Sequence, residues 1–223
     1  MVRQSEPVVK MLMPGKPVAE RVIAYIDGFN LYFGMRDAGY HRYFWLDLQK
    51  LADGLLREGQ ELRCTKYFTA RISGPSDKQG RQSTYLDALG TLDKNTFKMA
   101  FGKYQATPTF CNRCNSSFIT SNEKMTDVNI AVAMMEDAFG NEFDTAILVS
   151  ADSDLCGPVR AIRRLFPNKR VVVAFPPRRR SAELERYATA TIVIGKGKLA
   201  NSQFPDVVYG KDGFQLLRPP KWT

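Results

Sequence analysis

The pattern of apolar and polar positions predicts a chain in which strands and helices alternate. Short apolar runs bounded by turn-forming or polar residues are typical of buried parallel strands. Segments rich in β-branched and aromatic side chains predict further strands. Strands are predicted at 21–26, 62–70, 97–104, 146–150, 170–175 and 191–194.

Helices are predicted between these strands by the spacing of their apolar residues. In 47–57, for example, Leu48, Leu51 and Leu55 recur at the interval of one helical face. Strands that alternate with helices imply an α/β fold with a central parallel sheet and helices on both faces. Helices are predicted at 29–38, 47–57, 78–92, 126–139, 155–166 and 181–188.

The chain of 223 residues is long enough for one such domain, and no internal repeat is visible in it. We expect a loosely held leader at 1–20, a single domain at 21–195, and an irregular C-terminal tail at 196–223. Within the domain, 105–124 is polar and is expected to be a loop.

The charge of the chain favours a polyanionic partner. The net charge is +9, and eight basic but no acidic residues lie between Leu155 and Ala182, which we name the basic stretch. Lysine and arginine bind nucleic acid by displacing counterions from phosphates. Arg178, Arg179 and Arg180 are therefore predicted to contact a nucleic-acid backbone, whereas a basic surface without such a role is the plainer interpretation.

Other features of the composition exclude whole classes of function. No apolar run has the length of a membrane span or a signal peptide, so we expect a cytoplasmic protein without a membrane partner. Four irregularly spaced cysteines do not form a secreted disulfide framework. The single histidine, His41, excludes RNA cleavage by a pair of histidines.

Acidic residues occur where an α/β site is built. Asp27 follows the first predicted strand, and Asp152 and Asp154 follow the fourth. Ligands of open α/β sheets bind beyond the carboxyl ends of the strands, where the strand order reverses. Asp127 opens the helix at 126–139 on its core-facing side, so its carboxylate needs a partner, a metal ion or a cleft.

Three carboxylates at one edge of a sheet indicate a cation, because like charges repel unless an ion lies among them. Oxygen ligands favour Mg²⁺ or Mn²⁺, which activate water for displacement at phosphorus. Asp27, Asp127 and Asp152 are the predicted ligands. For each aspartate alone, a turn or helix-capping role remains open.

Three segments resemble the signature blocks of NYN domains, and most closely those of the LabA-like branch of the PIN-like nuclease superfamily. They are Tyr25–Tyr32 (YIDGFNLY), Glu123–Val128 (EKMTDV) and Leu148–Leu155 (LVSADSDL). They occur in the family's order within residues 22–194. Ala151 replaces a glycine of the family's pattern, which is a mild departure.

The resemblance implies a Rossmann-like PIN fold and Mg²⁺- or Mn²⁺-dependent hydrolysis of phosphodiesters, usually in RNA. Asp27, Asn30 and Asp127 match the family's site residues, and Asp152 and Asp154 match its late acidic pair. Asn30 is expected to orient a metal-bound ligand, although a helix-capping role is also open. Lys124 is a candidate contact of the scissile phosphate and otherwise a solvated loop lysine.

Cys111 and Cys114 have the spacing of half a zinc site, but a structural zinc ion needs four ligands. The missing zinc ligands would have to come from Cys64, His41 or a symmetric partner chain, so a homodimer remains an alternative. We expect instead a reduced surface pair without a catalytic role.

Rival enzyme classes lack their characteristic residues. Phosphatases of the haloacid dehalogenase type need a second aspartate two residues from the first, but Tyr25 and Phe29 flank Asp27 at that distance. No GxGxxG follows the first strand, and Gly195 does not open a P-loop. The remaining alternative to a nuclease is a catalytically silent RNA-binding or regulatory module, because fold alone does not establish activity.

Overall fold

The computed structural model describes residues 19–110, 116–210 and 212–223, and it describes the side chains of all of these except 103–109 and 118–124. The strands are β1 (Glu20–Asp27), β2 (Gln60–Thr69), β3 (Phe97–Phe101), β4 (Lys103–Phe110), β5 (Ser117–Lys124), β6 (Thr145–Val149), β7 (Arg170–Phe175), β8 (Ala190–Val193), β9 (Val207–Tyr209) and β10 (Gln215–Leu217).

The helices cover most of the segments between these strands. They are α1 (Gly28–Asp37), α2 (Leu48–Asp53), α3 (Ser76–Leu89), α4 (Thr126–Phe139), α5 (Cys156–Leu165), α6 (Ala182–Tyr187) and α7 (Lys196–Asn201), with short 3-10 turns at His41–Tyr43, Ser153–Leu155 and Pro220–Trp222.

Six strands form the central sheet in the order β3-β2-β1-β6-β7-β8, and every pair in it is parallel. From the centre of the sheet, β1, β2 and β3 follow one another towards one edge, and β6, β7 and β8 follow one another towards the other edge. The strand order therefore reverses between β1 and β6, where the predicted first and fourth strands pair directly. A cleft at the carboxyl ends of two such strands is the usual binding site of an open α/β sheet.

Apolar side chains cover both faces of the sheet. Val22, Ala24 and Ile26 of β1 pack with α1, α2 and α3, whereas Ile23 and Tyr25 point to the opposite face and pack with α4, α5 and α6. Successive residues of a strand face opposite sides, so a strand buried on both faces is apolar throughout. This arrangement confirms the predicted α/β class with helices on both faces.

Two expectations from the sequence are corrected. The segment 105–124 is not simply a loop, because β4 and β5 form an antiparallel hairpin with Lys103 opposite Lys124 and Phe110 opposite Ser117. Its polar composition and Pro108 conceal the strand signal, and a proline is tolerated in a two-stranded ribbon that leaves some N–H groups unpaired. The hairpin stands outside the central sheet.

The tail at 196–223 is not irregular, because α7 and the antiparallel pair β9–β10 lie within it. Its buried side chains include Leu199, Phe204 and Trp222, which join the cluster on the α1–α3 face. The indole N–H of Trp45 also donates to the carbonyl oxygen of Pro205 at 2.8 Å. Elements of three residues are too short to show a periodic pattern, so only their tertiary contacts reveal them.

None of the helices in the described ranges has both the length and the apolar character needed to cross a bilayer.

The tight contact between Gly28, the first residue of α1, and strand β2 leads to a stability prediction. A Cβ atom on Gly28 would lie 2.8 Å from the backbone oxygen of Phe68 and 2.7 Å from the ring of Tyr67. We expect Gly28→Ala to lower the free energy of unfolding by about 1–3 kcal/mol, as overpacking does. Urea denaturation measures the change.

Gly157→Ala is the matched control, since a Cβ atom on Gly157 in α5 meets nothing within 4 Å. Alanine has the higher helix propensity, so this control should be at least as stable as the wild type. Equal stability of the two alanine variants would show that the contact at Gly28 relaxes at no cost.

Candidate active site at the carboxyl edge of the sheet

Asp27 lies at the carboxyl end of β1, beside the point where the strand order reverses. Its side chain is 4% exposed. One carboxylate oxygen accepts a hydrogen bond from the backbone N–H of Asn30 at 2.9 Å, which makes Asp27 the N-cap of α1. The other accepts from the hydroxyl of Ser150 at 2.9 Å. Both donors are neutral, so no cationic side chain offsets the buried charge through these bonds.

Asn30 and Ser150 join the two strand ends into one network. The side-chain oxygen of Asn30 accepts from the backbone N–H of Ala151 at 3.1 Å, and the hydroxyl oxygen of Ser150 accepts from the backbone N–H of Asp152 at 3.1 Å. Ser150 is fully buried and was missed as a site residue by the sequence reasoning. The available signal was a hydroxyl at the end of an otherwise apolar strand, directly before the acidic segment.

Asp127 and Asp152 lie close enough to act on Asp27. Burial is the main cause that raises the pKa of Asp27 from 3.8 to about 6, and the charges of Asp127 and Asp152 raise it further, against the two hydrogen bonds. Asp152 is partly buried and caps the 3-10 turn that follows β6. Asp127 and Asp152 therefore lie within electrostatic reach of Asp27, and the convergence of all three carboxylates on one ion stays a prediction.

The position of Asp127 depends on the turn that enters α4. Met125 adopts a φ of 80°, a left-handed conformation that non-glycine residues rarely take. The chain thereby passes from β5 into α4 within two residues, and Asp127 is placed in the first helical turn. Asp127 is partly buried, as its place on the inner side of the helix suggested.

The carboxylate oxygens at this edge of the sheet are ligands of the kind that a divalent cation such as Mg²⁺ binds. Carboxylate oxygens that accept one hydrogen bond keep a lone pair for a metal ion. Among the described residues, however, no three His, Cys, Asp or Glu side chains surround a common point. Mg²⁺ usually keeps several waters and takes one or two carboxylates plus substrate phosphate. The residues fit such a hydrated ion, whereas ligation by all three aspartates stays a prediction.

The other predicted site residues are less closely tied to this cluster. Asp154 is exposed, and its backbone N–H donates to the Asp152 carboxylate at 3.0 Å. Lys124 ends β5, and its side chain lies outside the described part of the structure. Cys111 and Cys114 also lie outside the described residues.

The basic stretch reaches the same edge of the sheet in the turn after β7. This turn packs directly on α1, since a Cβ atom on Gly34 would lie 2.8 Å from the carbonyl oxygen of Pro177. Arg179 forms an ion pair with Asp37 at 3.2 Å, and Arg180 forms one with Glu185 at 2.6 Å. Arg178 is exposed and has no ion-pair partner among the described side chains.

Comparison with known families identifies the family of the chain. The sequence profile of the NYN domain matches residues 21–195, which is most of the chain and includes every aspartate of the cluster. The chain belongs to the NYN domain family. NYN domains are part of the PIN-like nuclease superfamily, and the central parallel sheet described above is the fold of that group.

This NYN domain protein is also similar to individual known proteins. It is 26% identical to 6-hydroxy-3-succinoylpyridine 3-monooxygenase HspA of Pseudomonas putida, in a match covering 94% of this chain and 77% of the relative. It also resembles the crystal structure of VPA0982, a protein of unknown function from Vibrio parahaemolyticus, with a TM-score of 0.53 and 24% identity. That match covers 82% of this chain and 98% of the other and supports the fold alone.

The raised pKa of Asp27 leads to a prediction about stability in the absence of metal ions. The pKa of Asp27 in the folded state, about 6, exceeds the ordinary value of 3.8. Between these two pH values the Asp27 carboxyl therefore keeps its proton in the folded state and loses it in the unfolded state. The free energy of unfolding should therefore fall as the pH rises from about 4 to above 6, by about 3 kcal/mol. Asp27→Asn removes this titrating group from the NYN domain.

The measurement is urea denaturation in chelator at several pH values for the wild type and Asp27→Asn. Subtracting the two curves removes the contributions of other titrating groups. Parallel curves across this window would mean that the Asp27 carboxyl titrates at its ordinary pKa.

Proposed function

We propose that this NYN domain hydrolyses phosphodiester bonds in RNA with the help of Mg²⁺ or Mn²⁺. The observation that carries the proposal is the buried Asp27 carboxylate, which lies near Asp127 and Asp152 where the strand order reverses. A buried carboxylate charge is costly without a partner, and a metal ion would supply the positive charge that its two neutral hydrogen-bond donors do not. Membership of the PIN-like nuclease superfamily supports this class of reaction.

Asp27, Asp127 and Asp152 are the carboxylates that would hold the ion. When bound, the ion supplies an activated water and stabilises charge that develops during displacement at phosphorus. Ser150 and Asn30 act as positioning residues, because they hold the Asp27 carboxylate and the backbone of 151–152 in one network.

RNA is the proposed partner because positive charge borders the aspartate cluster. The turn at 176–181 follows β7 and therefore lies at the same edge of the parallel sheet as Asp27. Arg178 is exposed there, whereas the neighbouring Arg179 and Arg180 form ion pairs with Asp37 and Glu185. A phosphate backbone that crosses this turn would pass close to the site. We place this activity in the cytoplasm.

The alternative is a catalytically silent NYN module that binds RNA through the same surface. An RNA cleavage assay with and without Mn²⁺ separates the two functions. The name of the Pseudomonas putida relative assigns to that protein the oxygenation of a pyridine compound. No residue of the aspartate cluster points to that chemistry, so we do not extend it to this chain.

Asp152→Asn tests the shared site through both activity and stability. One neutral replacement relieves repulsion among the carboxylates, so the variant should melt at or above the wild-type temperature in chelator. It should also lose RNA cleavage. Mn²⁺ binds only the folded site and should raise the wild-type melting temperature, and this increase should be smaller in the variant.

Asp53→Asn is the matched control, since Asp53 is exposed at the end of α2, shortly before β2 begins at the opposite edge of the sheet. This control should cleave RNA and respond to Mn²⁺ like the wild type. An active Asp152→Asn protein with a full Mn²⁺ response would contradict the proposed site.

Replacing Arg178, Arg179 and Arg180 with glutamine should weaken RNA binding and flatten its salt dependence. The slope of log affinity against log salt falls by about 0.7 for each lost contact with a single-stranded phosphate. Arg178→Gln alone should account for most of the change, because Arg179 and Arg180 are engaged with Asp37 and Glu185. The slope is measured in chelator, with the exposed Arg57→Gln as control. An unchanged slope in the triple variant would remove these three arginines from the binding surface.

A further inference from the structure

A cavity of about 590 Å³ opens beside the aspartate cluster, between α1, α3 and the C-terminal 3-10 turn. Its size lies within the range of roughly 300–1,000 Å³ that is typical of ligand pockets. Gly28, the residue that follows Asp27, forms part of its wall. Tyr67 forms another part, and burial raises the pKa of its phenol to about 12, with a smaller contribution from the charge of Asp27. Through Gly28 the cavity adjoins the end of β1, where Asp27 lies.

Aromatic rings form a nearly continuous wall in this cavity. The rings of Phe29 and Phe33 stack with their centroids 6.1 Å apart, and those of Tyr32 and Phe44 are 4.8 Å apart. Trp222 continues the series, 5.8 Å from Phe44. Such a wall offers flat apolar surfaces against which a planar ring can stack, and this contact tolerates every base because each has a π-face.

Among the residues that the structure describes, the charged side chains that line the cavity are all cationic, and none is acidic. They are Arg36, Lys78, Arg81 and Lys221. Asp37 pairs with Arg36, and Asp77 pairs with Arg81 and Lys221, outside the lining. Lys78 forms no ion pair with the described side chains. A ligand that combines a planar ring with an anionic group matches both the wall and this charge.

We propose that this cavity binds one nucleotide of a single-stranded RNA. The base stacks against the ring of Tyr32, and the attached phosphate lies towards Lys78. The strand is thereby fixed relative to Asp27, which places a neighbouring phosphodiester at the aspartate cluster. The identification of the strand as RNA rests on the proposed function, whereas the fit of a ring and an anion rests on the cavity alone.

The test measures the affinity of a seven-nucleotide RNA and of seven versions that each lack one base. All measurements are made in chelator, so that binding is separated from hydrolysis. For the wild type, loss of the base at one position should weaken binding about tenfold, the effect of one lost base–aromatic contact. Losses at the other positions should have a smaller effect.

Tyr32→Ala and Lys78→Gln connect this effect to the cavity. Tyr32 is 40% exposed, so its truncation leaves the core intact. In Tyr32→Ala the intact RNA should bind about tenfold more weakly, and the position-specific loss should disappear because the stacking partner is gone. Lys78→Gln should weaken all versions alike. Phe139→Ala, which removes an aromatic side chain that is 84% exposed on α4, and Lys94→Gln are the matched controls and should bind like the wild type.

A position-specific loss that persists in Tyr32→Ala, or equal losses at every position, would overturn the proposal. The proposal would also be overturned if calorimetry showed binding of a free aromatic acid such as nicotinate while the RNA series showed no position-specific loss. Cleavage in Mn²⁺ is recorded separately. Cleavage without a position-specific loss refutes the cavity assignment only, whereas a position-specific loss without cleavage supports the cavity and refutes the hydrolytic function.

Discussion

The buried carboxylate of Asp27 constrains how the two halves of the sheet can meet. A charge removed from water needs hydrogen-bond donors, and Asp27 finds them in the backbone of Asn30 and the hydroxyl of Ser150. Ser150 belongs to the other half of the sheet and in turn accepts from the N–H of Asp152. The end of β1, the start of α1 and the segment after β6 therefore form one hydrogen-bonded unit. A shift of either strand would break several of these bonds together.

The same junction explains why the chain has a glycine at position 28 and aromatic residues around it. Gly28 must pass within contact distance of Tyr67 and Phe68, and any side chain there would collide with backbone. The chain then turns into α1, whose aromatic residues Phe29, Tyr32 and Phe33 line the adjoining cavity. The acidic cluster and the aromatic cavity thus share one turn of the chain, which allows one ligand to contact both.

Tertiary contacts also change the meaning of the charge in the sequence. The basic stretch contains eight cationic residues, but Arg179 and Arg180 are engaged with carboxylates from α1 and α6. Exposed ion pairs of this kind contribute little to stability. They do reduce the positive charge that is available to a partner, which concentrates the expected RNA contacts at Arg178. Counting charges along the chain therefore overestimates the strength of this surface.

The sequence by itself determined the alternation of strands and helices, the α/β class and the aspartates at the ends of elements. Apolar periodicity shows which side of an element is buried. The places of Asp27, Asp127 and Asp152 at the ends of their elements can therefore be predicted from the residues next to them in the chain. The direct pairing of β1 with β6 and the role of Ser150 were decided only by the tertiary structure. So were the β4–β5 hairpin and the packing of the tail through Trp222. These features depend on contacts between residues far apart in the chain or on elements too short or too polar to show a period, and no local pattern encodes them.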